Sequence, residues 1–93
     1  MSKERKRLVC QSNGRIVIKT VAPGRVHIIG ARDLTYRIEL RTNHGWRAQD
    51  EFDNEYAALR AYAARNKFFD YRLMAVHEVG TIRLPNSWKG PLE

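Results

Sequence analysis

The sequence predicts a small α+β domain in which a single antiparallel meander sheet, of about five to six short strands, carries one helix on one face. Three observations predict this fold. Residues 35–41 and 71–79 alternate between apolar and polar side chains with a period of two, as half-buried strands do. An alanine-rich segment between them has apolar residues at helical spacing. Turn-forming dipeptides divide the first third of the chain into short segments.

The first third is predicted to form short strands joined by tight turns. The apolar-rich segments are 8–10, 16–21 and 25–29. Asn13-Gly14 separates the first two and favours a type I′ hairpin turn, which needs positive φ angles. Pro23-Gly24 precedes the third and favours a type II turn. We therefore expect consecutive strands to pair as hairpins.

The middle of the chain predicts a hairpin followed by the helix. Strand 35–41 turns at residues 43–45 into a short strand, 46–49, and a last short strand is expected at 81–84. For the helix we expect an N-cap at Asp50 or Asp53 and a left-handed C-cap at Asn66. The apolar stripe of the helix comprises Phe52, Tyr56, Leu59 and Ala63.

Length and composition limit the class of protein. The 93 residues suffice for one domain, which we expect to span residues 8–84 between a flexible basic arm, 1–7, and an irregular tail, 85–93. The single cysteine, Cys10, cannot form an intrachain disulfide, which fits a reducing compartment. No apolar run is long enough to cross a membrane, and no signal peptide is evident. A cytoplasmic protein is expected.

The charge is unevenly distributed. The formal net charge is +7. Residues 1–41 contain ten basic and three acidic residues, whereas residues 42–93 contain seven of each. This asymmetry favours a nucleic-acid or other polyanionic partner, and the alternative is a basic surface that only maintains solubility.

The alternation of the strands predicts where the cations lie. If Ile16, Ile18, Tyr36, Ile38 and Leu40 pack under the helix, their polar neighbours must project from the opposite sheet face. These neighbours are Arg15, Lys19, Arg37 and Arg41, with Arg72 on the later strand and Arg25 near the rim. Arginine is the better bidentate phosphate donor. The alternative is an ordinary hydrated face on which Glu39 and Glu78 neutralise some of the arginines.

The arm and the tryptophans are further candidates for contact. Lys3, Arg5, Lys6 and Arg7 of the arm can follow a phosphate backbone. Trp46, beside Arg47, is either a stacking platform or a side chain that closes the end of the core. Trp88 either folds back onto the core or is exposed to a partner.

Catalytic and metal sites have little support in the sequence. Cys10, His27, His44 and His77 are too widely separated in the chain for a metal-ligand motif, and no nucleophile motif is present. We expect no cofactor and no enzymatic activity. A small basic ribonuclease using Arg72, His77 and Glu78 is a remote alternative, because alternation points His77 away from the other two.

The stretch from Tyr36 through Val79, which includes LRTNHGWRAQDEFDNEYAALRAYAARN, resembles small phage-encoded proteins that disable host machines. This class includes anti-CRISPR proteins and inhibitors of bacterial RNA polymerase. The resemblance covers about half the chain and rests on size, element order and charge. It implies stoichiometric blocking of a nucleic-acid-handling complex, and it assigns no individual residues.

Taken together, the sequence predicts a non-catalytic binding protein. Its basic sheet face and N-terminal arm are expected to dock on RNA or DNA, alone or within a nucleoprotein complex. The alternative is an inhibitor or adaptor that binds an acidic groove of a host protein complex, such as a CRISPR effector or RNA polymerase.

Overall fold

A computed structural model describes residues 6–11, 15–20, 26–30, 33–86 and 88. The elements in chain order are β1 (Lys6–Cys10), β2 (Ile16–Thr20), β3 (Val26–Ile29), β4 (Thr35–Thr42), β5 (Gly45–Phe52), α1 (Glu55–Ala63), β6 (Tyr71–His77) and β7 (Gly80–Arg83). The predicted turns at Asn13-Gly14 and Pro23-Gly24, and arm residues 1–5, lie outside the described residues. Lys6 and Arg7, assigned to the arm from the sequence, belong to β1.

The α+β class is confirmed, but the prediction of a single meander sheet is wrong. The described strands form two antiparallel sheets, one ordered β1-β2-β3 and the other β5-β4-β6-β7. In the second sheet β4 pairs with β5 on one side and with β6 on the other. Because each edge of a strand accepts one neighbour, β3 cannot also pair with β4.

The two sheets and the helix share one core. Helix α1 carries the chain from β5 across β4 to β6, which is why the second sheet is not a simple meander. The core side chains come from both sheets, from residues that flank the strands, from the helix and from the tail: Leu8, Ile16, Ile29, Leu34, Tyr36, Ile38, Ala58, Leu73, Ala75, Leu84 and Trp88. The inner face of β5-β4-β6-β7 is therefore the one that carries Tyr36 and Ile38, as alternation predicts.

Helix α1 begins later than the sequence indicates. Strand β5 continues through Phe52, so the chain is not free to turn into a helix until Asn54. The Asn54 side chain accepts hydrogen bonds from the amides of Tyr56 and Ala57, at 2.8 and 3.1 Å, and it is the N-cap in place of Asp50 or Asp53. The shift turns Tyr56 out to solvent and buries Ala58. The predicted stripe is therefore wrong at Tyr56 and Ala63, which are exposed, and at Phe52, which belongs to β5.

The helix also ends earlier than predicted. Its last residue is Ala63, and the C-cap Ala64 has right-handed backbone angles. Asn66 is not a left-handed C-cap, since no described non-glycine residue has a positive φ. Its side chain instead accepts a hydrogen bond from the Phe68 amide at 3.0 Å and shapes the turn before β6.

The β4–β5 hairpin depends on one glycine. Thr42 pairs with Gly45 across the turn, and Gly45 has a φ of 101°. This left-handed conformation favours glycine. Within the described part of the chain, no helix is long and apolar enough to span a membrane.

Candidate functional site

Four arginines lie on the outer face of the β5-β4-β6-β7 sheet, opposite the core. Cross-strand pairing aligns them in rows: Glu51–Arg37–Met74–Arg83, then Ala48–Glu39–Arg72, then Trp46–Arg41. Paired residues project to the same side of a sheet. We call this surface the arginine face, and we define it by Arg37, Arg41, Arg72 and Arg83 together with Glu39 and Trp46.

A single carboxylate holds two of these arginines. Glu39 is buried, and its Oε1 accepts a hydrogen bond from Arg72 Nε at 2.6 Å. Its Oε2 lies 2.8 Å from Arg37 Nε, an ion pair without the alignment of a hydrogen bond. The two arginine side chains remain 26% and 24% exposed. The trio keeps a formal charge of +1, and the guanidinium groups are held in place at the surface.

Arg72 also covers the only aromatic ring of the arginine face. Its guanidinium carbon lies 4.3 Å from the centre of the Trp46 ring, a cation–π distance. Trp46 is half-buried and does not pack against the core, so the alternative that it closes the core is wrong. The ring and the guanidinium therefore form one stacked unit on the surface.

The remaining two arginines are exposed. Arg41 lies 4.0 Å from Asp70, a contact between two exposed side chains that contributes little energy. Arg83 lies across Met74 from Arg37. With Glu39 and Glu51 subtracted from the four arginines, the formal charge of these rows is 4 − 2 = +2.

The structure separates residues that the sequence placed on one face. Arg15 and Lys19, which were expected on one face with Arg37, Arg41 and Arg72, lie beside and within β2 of the other sheet. Lys6 and Arg7, which were expected in the arm, belong to β1 of that sheet. Arg47 pairs with Leu40 and so lies on the helix side, opposite Trp46. Lys3, Arg5 and Arg25 lie outside the described residues.

Trp88 is in the core and not at an interface. It is buried, and its ring centre lies 5.4 Å from that of Tyr36. This corrects its inclusion among the partner-binding candidates. The tail lacks a periodic pattern, so the sequence offered no signal for this packing.

Sequence reasoning did not identify some of the surface residues that the structure shows. Arg83 joins the arginine face, and its alternation with Ile82 and Leu84 was an available signal. Phe68 is 93% exposed and Phe69 is also exposed, in the turn shaped by Asn66. Two adjacent apolar residues in a loop gave no periodic signal from which exposure could be read.

A shallow groove lies at the junction of the two sheets. It has a volume of about 530 Å³ and is lined by Cys10, Gln11, Arg83, Leu84, Pro85 and Asn86. Burial raises the pKa of the Cys10 thiol, so its reactive thiolate form is disfavoured. The groove therefore does not present an activated nucleophile at Cys10.

The remote ribonuclease constellation is not assembled. Arg72 is engaged by Glu39 and Trp46, whereas Nδ1 of His77 accepts a hydrogen bond from the Val79 amide at 3.3 Å. The two residues are five positions apart along β6, which corresponds to about 17 Å. In the described ranges, no three His, Cys, Asp or Glu side chains form a group that could hold a metal ion.

Comparison of the chain with protein-family models, curated proteins and solved structures found no match.

Proposed function

We propose that the protein binds single-stranded or double-stranded nucleic acid through the arginine face and has no catalytic role. The observation that carries the proposal is the unit formed by Glu39, Arg72 and Trp46. A guanidinium that is already held in place loses less conformational entropy when it binds a phosphate. Exposed Arg41 and Arg83 extend the cationic surface on either side of this unit.

The chemistry of this surface suits a polyanion. Arginine donates paired hydrogen bonds to phosphate oxygens, and each phosphate that is neutralised releases condensed counterions. The part of the Trp46 ring that Arg72 leaves uncovered offers an edge for contact with a sugar or base. Lys3, Arg5 and Arg25 are proposed to add phosphate contacts. The single reduced cysteine fits a cytoplasmic location for this activity.

Two double variants with the same change in net charge test the proposal. Arg41→Gln with Arg83→Gln removes two cations from the arginine face, and Arg47→Gln with Arg60→Gln removes two exposed cations from the helix side. The probes are a fluorescently labelled mixed-sequence single-stranded RNA and a DNA duplex of the same sequence. We expect the first double variant to weaken binding of at least one probe about tenfold or more, and the second to change it less than about twofold. Equal losses in the two variants, or no binding by the unaltered protein, would refute the proposal.

A second candidate function is that of a protein-binding inhibitor or adaptor, as the resemblance to phage proteins implies. The exposed Phe68 favours it, because aromatic side chains that protrude from a surface are common anchors of protein interfaces, and a hydrogen bond to Asn66 shapes the turn that carries this one. Affinity capture from a nuclease-treated bacterial lysate tests this function. A complex retained by the unaltered protein and lost on Phe68→Ser would support it, whereas loss of all captured protein after nuclease treatment would support nucleic-acid binding.

A further inference from the structure

The edges of the two sheets are protected unequally against pairing with another chain. At one edge of the larger sheet, β5 carries Arg47, Asp50 and Glu51 and has an irregular register opposite Ile38 and Glu39. At the other edge, β7 carries Arg83 and lies against β1 of the smaller sheet. Strand β1 begins with Lys6-Arg7. Charges and register irregularities of this kind discourage edge-to-edge association.

Strand β3 lacks such protection. Its four residues, Val26–Ile29, read Val-His-Ile-Ile and include no lysine, arginine, carboxylate or proline. Among the described strands, it pairs with β2 on one side and has no strand neighbour on the other. Val26 and Ile28 project to the same side of the sheet, and they are 57% and 61% exposed. An exposed apolar edge strand is a template for another strand.

We propose that β3 pairs antiparallel with the β3 of a second copy of this chain, about a two-fold axis that passes beside His27. In this register His27 lies opposite the partner's His27, and Val26 lies opposite the partner's Ile28. This register places residues that project to the same side of the sheet opposite one another, so the alternation of inward and outward side chains continues across the boundary. The two sheets join into one sheet of six described strands.

The cross-strand rows explain why a second copy fits this edge. Within one copy, Val17 pairs with Ile28, and Lys19 pairs with Val26. Pairing at β3 therefore produces one continuous row of four residues. Its order is Lys19, Val26, the partner's Ile28 and the partner's Val17, and the two-fold axis generates a second, identical row. The four branched side chains nearest the axis contact one another across the new boundary, which reduces the exposure of Val26 and Ile28 in both copies.

Charge does not prevent this pairing. Lys19 and the partner's Lys19 are separated by three strand spacings, or about 15 Å, and lie in different rows. That separation exceeds the screening length of about 8 Å at physiological ionic strength. The arginine face lies on the other sheet, so the inference does not depend on the proposed function.

The first test is sedimentation velocity on nuclease-treated protein over a concentration series. A pairing of four residues is expected to be weak, because interfaces below about 1,200 Å² are typical of transient contacts, so the series extends to about 0.5 mM. We expect the unaltered protein to shift from monomer to dimer. Ile28→Lys, at an exposed position, is expected to stay monomeric with an unchanged melting temperature. Phe68→Lys adds the same charge at another exposed apolar site and is expected to dimerise normally.

The second test probes the register. In a Cys10→Ser background, His27→Cys should form a disulfide-linked dimer on mild oxidation, because directly opposed Cβ atoms of antiparallel strands lie near disulfide distance. Lys19→Cys should not, since its counterpart is about 15 Å away. A monomer at every concentration, dimerisation unaffected by Ile28→Lys, or equal crosslinking at both positions would overturn the proposal.

Discussion

At the scale of single residues, Glu39 is the side chain on which the geometry of the arginine face depends. It is a buried carboxylate beside two guanidinium groups, and removing its charge leaves both arginines without their counter-ion. We expect Glu39→Gln to lower the free energy of unfolding by about 1–3 kcal/mol, less than for a fully buried pair because the arginines reach solvent. Glu51→Gln, at an exposed position on the same face, should cost less than about 0.5 kcal/mol. Chemical denaturation of the two variants tests this, and equal costs would contradict the assigned role of Glu39.

Tyr36 gives a second prediction at this scale. Burial, and secondarily the charge of Glu55, raises the pKa of Tyr36 to about 12 from 10.0. The folded state therefore keeps a proton that the unfolded state releases, and stability is lost as the pH rises from about 10 to about 12. The Tyr36 hydroxyl has no hydrogen-bond partner among the described contacts, so Tyr36→Phe should preserve or raise stability at neutral pH. The substitution should also reduce the loss of stability at alkaline pH. Urea unfolding at a series of pH values measures both effects, and a destabilised Tyr36→Phe would show that the hydroxyl has a partner.

At the scale of elements, helix α1 begins where strand β5 stops. The sequence predicts the N-cap at Asp50 or Asp53, whereas the length of β5 moves it to Asn54. Asn54→Ala should cost about 0.5–2 kcal/mol, because two amides lose their acceptor. Asn54→Asp should retain most of that stability, and Asp53→Ala should cost less than Asn54→Ala. Thermal unfolding compares the three, and a larger loss for Asp53→Ala would restore the prediction made from the sequence.

At the scale of the whole molecule, the net charge and its placement predict how binding responds to salt. Each phosphate contact contributes about 0.9 to the slope of log affinity against log salt for duplex DNA. Arg41→Gln with Arg83→Gln should therefore reduce the slope by up to about two, and Arg47→Gln with Arg60→Gln should leave it nearly unchanged. Fluorescence anisotropy at several salt concentrations gives the slopes. A slope that the first double variant does not alter would move the phosphate contacts to another surface, such as the cations of β1 and β2.

The sequence by itself determined the type of the main elements but not where the helix begins and ends. Alternation with a period of two predicted strands β4 and β6, and helical spacing predicted α1. Together they predicted the α+β class. Both patterns arise between residues that are close in the chain, so they can be read from the sequence. The same alternation correctly set Arg37 and Arg41 opposite Tyr36 and Ile38. Only the tertiary structure decided which strands share a sheet.

Local patterns carry no information about which edge of a strand meets which partner. Three features depend on that choice. Strand β3 lies at the end of its own sheet, Trp88 packs against Tyr36 in the core, and Arg72 contacts both Trp46 and Glu39. These contacts join residues far apart in the chain, and their energies are realised only when the sheets and the helix close around one core.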